Sequence, residues 1–170
     1  VVELRSRVPS NIELVDAPMS GAAISAEEAR LSFMLGGADD VLGRLQPLFD
    51  AMGTKFHRMG PFSAGMTTKV LNNFCAASST AATRTVLRWA EQLGVEEARL
   101  LAVLNDSSGQ NWLASNFNDI EFSRHGYAPE NTVGILAKDL LSMFDALPEE
   151  EARGLPAALL ETISNLKPIT

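Results

Sequence analysis

Cysteine occurs once, at Cys75, so this chain can form neither an internal disulfide nor a thiolate metal cluster. Histidine occurs only twice, and no short-spaced acidic cluster accompanies it, so no metal site is expected. Basic residues are scarce, with 14 Lys and Arg against 21 Asp and Glu. The resulting net charge of −7 lacks the concentrated positive surface that a nucleic-acid groove requires. No run approaches the roughly 18 apolar residues of a membrane-spanning helix. The opening residues, VVELRSRVPS, carry no apolar segment behind a basic one, so no signal peptide is expected. The missing initiator Met suggests a start inside a longer product. What is present, 46% hydrophobic and 21% charged residues over 170 positions, suffices for one domain, or a small domain plus part of another. This is the composition of a cytosolic-type enzyme piece or of an interaction domain.

The chain changes character near Pro61. Before it, Ile12 to Val15 reads as a short buried strand ended by Asp16-Ala17-Pro18, and Leu31 to Gly37 as a second strand closed by a glycine pair. Ala38 to Met52 carries apolar residues at three-four spacing and reads as an amphipathic helix, bent or broken at Pro47. Thr54 to Met59 gives a third strand. Strand, helix, strand with short connections points to an α/β sheet with crossovers. After Pro61 nearly everything reads as helix. Between Gly65 and Gly94 there is no further Gly and no Pro, which allows one helix of roughly 40 Å at about 1.5 Å per residue. Its middle, Ala76 to Thr83, is small on every face and predicts the spine of a helical bundle. Further helices are expected over 96–104, 112–118, 133–147 and 156–165. The expected fold is thus an α/β piece over residues 1–61 followed by an all-α domain over 62–170.

Three constellations could carry chemistry. The first is Asp16-Ala17-Pro18-Met19-Ser20-Gly21-Ala22-Ala23. Following a strand, the Ser20-Gly21 turn is expected at the carboxyl edge of the sheet, where open α/β sheets bind ligands. A Ser hydroxyl beside Gly and Ala amides offers donors that converge on an anion such as a carboxylate. The plainer alternative is a tight turn in which Ser20 caps the next segment.

The second constellation is Gly65-x-x-x-Lys69-x-x-Asn72-Asn73 at the start of the long helix. Lys69 and Asn73, four apart, share a face. Lys69 is one of four lysines and has Met66, Val70, Leu71 and Phe74 as neighbours, so partial desolvation near the positive helix end should suit it to proton transfer. The alternative is a snorkelling lysine. The third is Lys138-Asp139 inside the apolar run Ile135 to Leu141, either a functional pair or a solvated stripe. Cys75 reads as a small buried hydrophobe, and Trp89 and Trp112 as core or interface residues. The run Asn105 to Gly109 reads as a helix end plus turn.

Taken in order, DAPMSG, GMTTKVLNN, LNDSSG and LAKDL resemble the β-hydroxyacid dehydrogenases, the family of 3-hydroxyisobutyrate dehydrogenase and tartronate semialdehyde reductase. The resemblance runs from about Ile12 to about Leu160, and G-x-x-x-K-x-x-N-N is its most specific part. It implies the last strands of a Rossmann-type sheet followed by an all-helical substrate and dimerisation domain, an NAD or NADP cofactor, a small hydroxy-acid substrate and a homodimer or larger homo-oligomer. The implied compartment is the cytoplasm, with the mitochondrial matrix as the other setting. The resemblance assigns catalysis to Lys69, substrate binding to Ser20, Gly21 and Asn73, and the nicotinamide side to Lys138, with Asp139 as its usual neighbour. Two features depart from the pattern. Ala22 stands where the family commonly has another Gly, and no G-x-G-x-x-G follows a strand anywhere in the chain. The chain therefore reads as the part of such an enzyme that lacks the pyrophosphate cradle. The rival reading is a non-catalytic oligomerisation module derived from one.

Overall fold

The computed structural model describes residues 2–21, 23–145 and 147–169. Ala22, singled out above, lies outside the described residues. The elements run α1 (Val2–Arg7), β1 (Met19–Ser20), α2 (Ala23–Glu27), β2 (Leu31–Gly36), α3 (Asp39–Asp50), β3 (Gly53–Gly60) and α4 (Ala64–Gln92). They continue with α5 (Glu97–Asp106), α6 (Trp112–Ser115), a 3₁₀ turn (Glu121–Arg124), α7 (Thr132–Phe144), α8 (Glu149–Ala152) and α9 (Leu155–Ser164). The chain divides into two compact units, Val1–Leu71 and Asn72–Thr170. The expected order of a small sheet followed by helices holds.

In the first unit β2 and β3 are parallel, joined by the crossover helix α3, while β1 pairs antiparallel with β2. Leu31, Phe33 and Leu35 of β2 pack with Leu42 and Phe49 of α3. The rings of Phe33, Phe49 and Phe56 group around this core with centroids 5.5–6.5 Å apart. Pro47 does not break α3. Both it and Gly43, whose carbonyl loses the usual partner, face solvent, so water can satisfy the bond that the ring removes.

The strand expected at residues 12–15 does not form. Ile12 is exposed and the pairing begins only at Asp16, which exchanges backbone bonds of 2.9 and 2.8 Å with Gly36. Pro18 accepts from the Met34 N–H at 3.0 Å but has no N–H of its own to return, which leaves the edge ladder short.

In the second unit, Ala77 and Ala81 of α4 pack against Val133, Leu136, Ala137 and Leu140 of α7 and Leu159 and Ile163 of α9. The small residues of α4 therefore do admit close neighbours. A separate cluster joins Leu87 to Leu101, Leu113 and Phe117. The C-terminus of α4 closes as a Schellman motif: Val95 N–H donates to Ala90 O, Gly94 N–H to Glu91 O, and Gly94 takes φ +74°. One expectation fails here: Cys75 is exposed rather than buried. Of the two readings for Trp89 and Trp112, core or interface, their half exposure sets the core aside. No helix among the described residues is long and apolar enough to cross a membrane.

Candidate active site

Ser20 ends β1 opposite Ser32, the second residue of β2. The Ser20-Gly21 turn therefore lies at the amino-terminal end of the parallel pair β2 and β3, not at its carboxyl edge. The antiparallel course of β1 is the reason. Gly21 has φ +142°, and a Cβ there would stand 2.9 Å from Ser25 Cβ and 3.0 Å from Leu31 Cδ2. Only glycine suits this position.

The segment leading into that turn starts at Asp16, a buried residue. Its carboxylate accepts the Ser63 N–H at 2.7 Å through Oδ1 and the Met66 N–H at 2.5 Å through Oδ2. Ser63 immediately precedes α4 and Met66 lies in its first turn, where backbone N–H groups lack partners inside the helix. Gly36 and Gly65 leave room for this carboxylate: a Cβ at either would fall 2.2 Å from Asp16 Oδ1 or 3.0 Å from Oδ2, respectively. Sequence reasoning gave Asp16 no role of its own beyond ending a strand and opening the DAPMSG segment.

Lys69 lies three residues beyond Met66, half-buried, in the same unit as Ser20 and Gly21. Its setting is more open than its apolar neighbours suggested, since Leu71 is 53% exposed and Met66 36%. Asn73 follows one turn on along α4 and belongs to the second unit. Its Nδ2 donates to Asp139 Oδ2 at 2.9 Å. Asp139 is half-buried on α7, whereas Lys138 is exposed on the same helix. The Lys138-Asp139 pair is thus split by function of position: one side chain meets solvent and the other binds α4. Ser20, Gly21 and Lys69 share the first unit; Asn73, Lys138 and Asp139 share the second.

The Asn105 to Gly109 run is committed elsewhere. Asn105 accepts from Ser115 Oγ at 3.0 Å and so ties α5 to α6. Arg84 is a further residue that sequence reasoning missed. Its buried guanidinium donates to the backbone carbonyls of Ser123 at 2.7 Å, His125 at 2.8 Å and Lys167. Burial, and next the charge of Arg124, push its pKa below the ordinary arginine value. Arg124 is itself held by Glu97, whose carboxylate accepts bonds of 2.5 and 3.2 Å from it and raises its pKa.

A dinucleotide does not fit the glycine-bearing turn this chain offers. Gly36 ends β2 and Gly37 follows it before α3, but Asp16 and Val15 Cγ1 fill the space beside them, with a Cβ on Gly37 falling 2.8 Å from the latter. The helix then opens with Asp39 and Asp40. Two carboxylates at a helix N-terminus repel a pyrophosphate where a dinucleotide site would attract it.

A short sheet with a β-α-β crossover, leading through one long helix into a helical unit, is the architecture of the second half of a β-hydroxyacid dehydrogenase. The chain belongs to that family: residues 63–166 match the family described as NAD-binding of NADP-dependent 3-hydroxyisobutyrate dehydrogenase. Residues 5–60 match the NAD binding domain of 6-phosphogluconate dehydrogenase. Mitochondrial 3-hydroxyisobutyrate dehydrogenase of Mus musculus is 30% identical over 132 residues, which cover 74% of this chain and 39% of that protein. NAD-dependent L-serine dehydrogenase of Pseudomonas aeruginosa is 35% identical over 107 residues, 63% of this chain and 36% of that one. The solved Mycobacterium tuberculosis 3-hydroxyisobutyrate dehydrogenase with L-serine aligns at a TM-score of 0.74 and 26% identity, over 90% of this chain and 57% of its own. The chain thus spans roughly two fifths to three fifths of the length of these relatives.

Proposed function

We propose that this chain supplies the substrate and proton-transfer half of an NAD(P)-dependent dehydrogenase acting on a small β-hydroxy acid. The observation that carries the reading is the helix α4. It presents Lys69, and one turn further on Asn73, whose amide is fixed by Asp139. An Asn held through its Nδ2 keeps its Oδ1 oriented, so it can accept a bond from a substrate hydroxyl or from a neighbouring ammonium. Lys69 takes the hydroxyl proton during oxidation and returns it during reduction. Ser20 and Gly21 hold the carboxylate through a hydroxyl and a backbone N–H. Lys138, exposed on α7, meets the cofactor side. The pyrophosphate is held by residues outside this chain, since the turn at Gly36 and Gly37 is filled and flanked by acids. The matched relatives act as hydroxyacid dehydrogenases, and the enzyme assembles as a dimer or larger homo-oligomer.

The test is hydride transfer by the enzyme that joins this chain to a cofactor-binding half. Lys69→Ala should lower turnover by about 10²–10⁴-fold, the usual size of a general acid–base contribution. Lys69→Arg should not rescue it, because a guanidinium stays protonated. Near-normal turnover in Lys69→Ala would refute the assignment and move the proton-transfer role to Lys138. A chain that forms stable oligomers but supports no hydride transfer would favour the scaffold reading.

A further inference from the structure

We infer that Asp16 is a positioning residue: its carboxylate ties the start of α4, and with it Lys69, to the sheet. The inference rests on the role proposed above for Lys69. Three observations carry it, all within the first unit.

The first is the bonding pattern. In an ordinary capping box, the residue before the helix caps the third helical N–H, and a side chain inside the first turn returns the favour. Here a single carboxylate does both, from far away in the sequence. Asp16 Oδ1 takes the Ser63 N–H and Oδ2 the Met66 N–H, 47 and 50 residues distant.

The second is strain. Ser63 immediately precedes α4 and is of a type well able to cap the helix itself. It instead adopts φ +84°, a left-handed conformation that L residues rarely take, and leaves the Met66 N–H to Asp16. A helix that needed only a cap would have used Ser63 locally. Strain kept in place of a local cap marks a position that the rest of the unit dictates.

The third is where the anchor sits. The backbone of Asp16 is clamped to Gly36 by its paired bonds, so the carboxylate rides on the sheet. Lys69 stands three residues beyond Met66, about 4.5 Å of helical rise. One rigid group therefore fixes where the helix that carries Lys69 starts. Gly36 leaves the room it needs, since a side chain there would fall 2.2 Å from the carboxylate, and a side chain at Gly65 would meet the Met34 carbonyl at 2.2 Å and then the carboxylate at 3.0 Å.

Asp16→Asn tests this with a near-isosteric change. An amide has one acceptor oxygen, so one of the two N–H groups would face an NH₂ donor instead. In the 170-residue chain, hydrogen exchange at the Ser63 and Met66 amides should accelerate about tenfold or more. The resonances of Lys69 should shift, while those of Ser20, Leu42 and Phe49 stay in place. In the complete enzyme, kcat should fall about tenfold with the KM for cofactor unchanged, as a misplaced catalytic group predicts. Unmoved Lys69 resonances, or an unchanged kcat, would overturn the inference. A wild-type enzyme without hydride transfer would count against the dehydrogenase reading alone, and the resonance measurement would still decide the coupling. Should Asp16→Asn fail to fold, the wild-type chain decides. Ser63 and Met66 amides exchanging as slowly as Leu35 of β2 support the anchor, and exchange as fast as a frayed helix end overturns it.

Discussion

Replacing Arg84 by Met asks how much a guanidinium surrounded by carbonyls contributes to the helical unit. In the native structure it serves three carbonyls from two segments, Ser123 and His125 on one side and Lys167 on the other. Met fills a similar volume but donates nothing. A buried acceptor left without a partner costs about 1–3 kcal/mol, so three give a gross loss of roughly 3–9 kcal/mol. Two effects reduce it. The cationic guanidinium no longer has to be desolvated, and its repulsion with Arg124 disappears. An adjoining cleft of about 440 Å³, lined by Arg84, Arg88 and Lys167 among others, also lets water reach the freed carbonyls. We expect a net cost of about 3 kcal/mol, or roughly 10–20 °C in the melting of a unit this size. Urea denaturation followed by circular dichroism, with calorimetry beside it, measures both. Arg84→Lys adds a sign test. A buried lysine has a depressed pKa in the folded state, so the unfolded state binds more protons and stability rises with pH through that window. Wild type should lack this contribution, because an arginine stays protonated in the folded and unfolded states alike. A loss below about 1 kcal/mol for Arg84→Met would refute the argument that the carbonyls depend on this residue.

Leu140 is 1% exposed and packs in the α4–α7–α9 cluster, so Leu140→Ala should cost about 2–5 kcal/mol by urea denaturation; a loss under about 1 kcal/mol would mean the cluster collapses around the gap. Calorimetric titration of the isolated chain with NADH and NADPH should show no micromolar binding, because the turn at Gly36 and Gly37 is filled and this sequence contains no G-x-G-x-x-G run. Micromolar affinity for either would mean that the pyrophosphate is bound by a different device.

What the sequence disclosed depended on the range of the forces involved. The helices α3, α4, α5, α7 and α9 were readable because a three-four apolar repeat and a Gly or Pro stop are local signals. The run from Ile12 to Val15, three apolar residues with Glu13 among them, misled, because a short apolar run is equally compatible with a strand and with a packed loop. Pro18 has no N–H to give an edge ladder, and it supports only the short pairing at Asp16 and at Met19–Ser20. Direction was equally hidden. Nothing in DAPMSG says that β1 runs against β2, yet that reversal moves the Ser20-Gly21 turn to the other end of the sheet. Exposure of Cys75 and Trp89 follows from which sides of α4 the neighbouring helices cover, which is a property of the packing and not of α4 alone.

The candidate site was readable through motif order, and its supports were not. Lys69 and Asn73 announce themselves by spacing, because one helical turn puts them on one face. Asp139 looked like a companion of Lys138, its neighbour in sequence, but its carboxylate accepts a bond from Asn73 on another helix. Asp16 looked like punctuation before a proline, but its carboxylate closes the first turn of α4. Each is an acid whose partner lies far along the chain, 66 residues away in one case and 47 and 50 in the other. Local sequence carries only indirect traces of such bonds. For Asp16 the traces are Gly36 and Gly65, two glycines with ordinary backbone conformations, neither needed for a left-handed turn. A side chain at Gly36 would meet the Asp16 carboxylate, and one at Gly65 would meet the Met34 carbonyl first and that carboxylate next. A glycine that its own φ does not require is therefore a sign of close approach, and it points to the group that approaches.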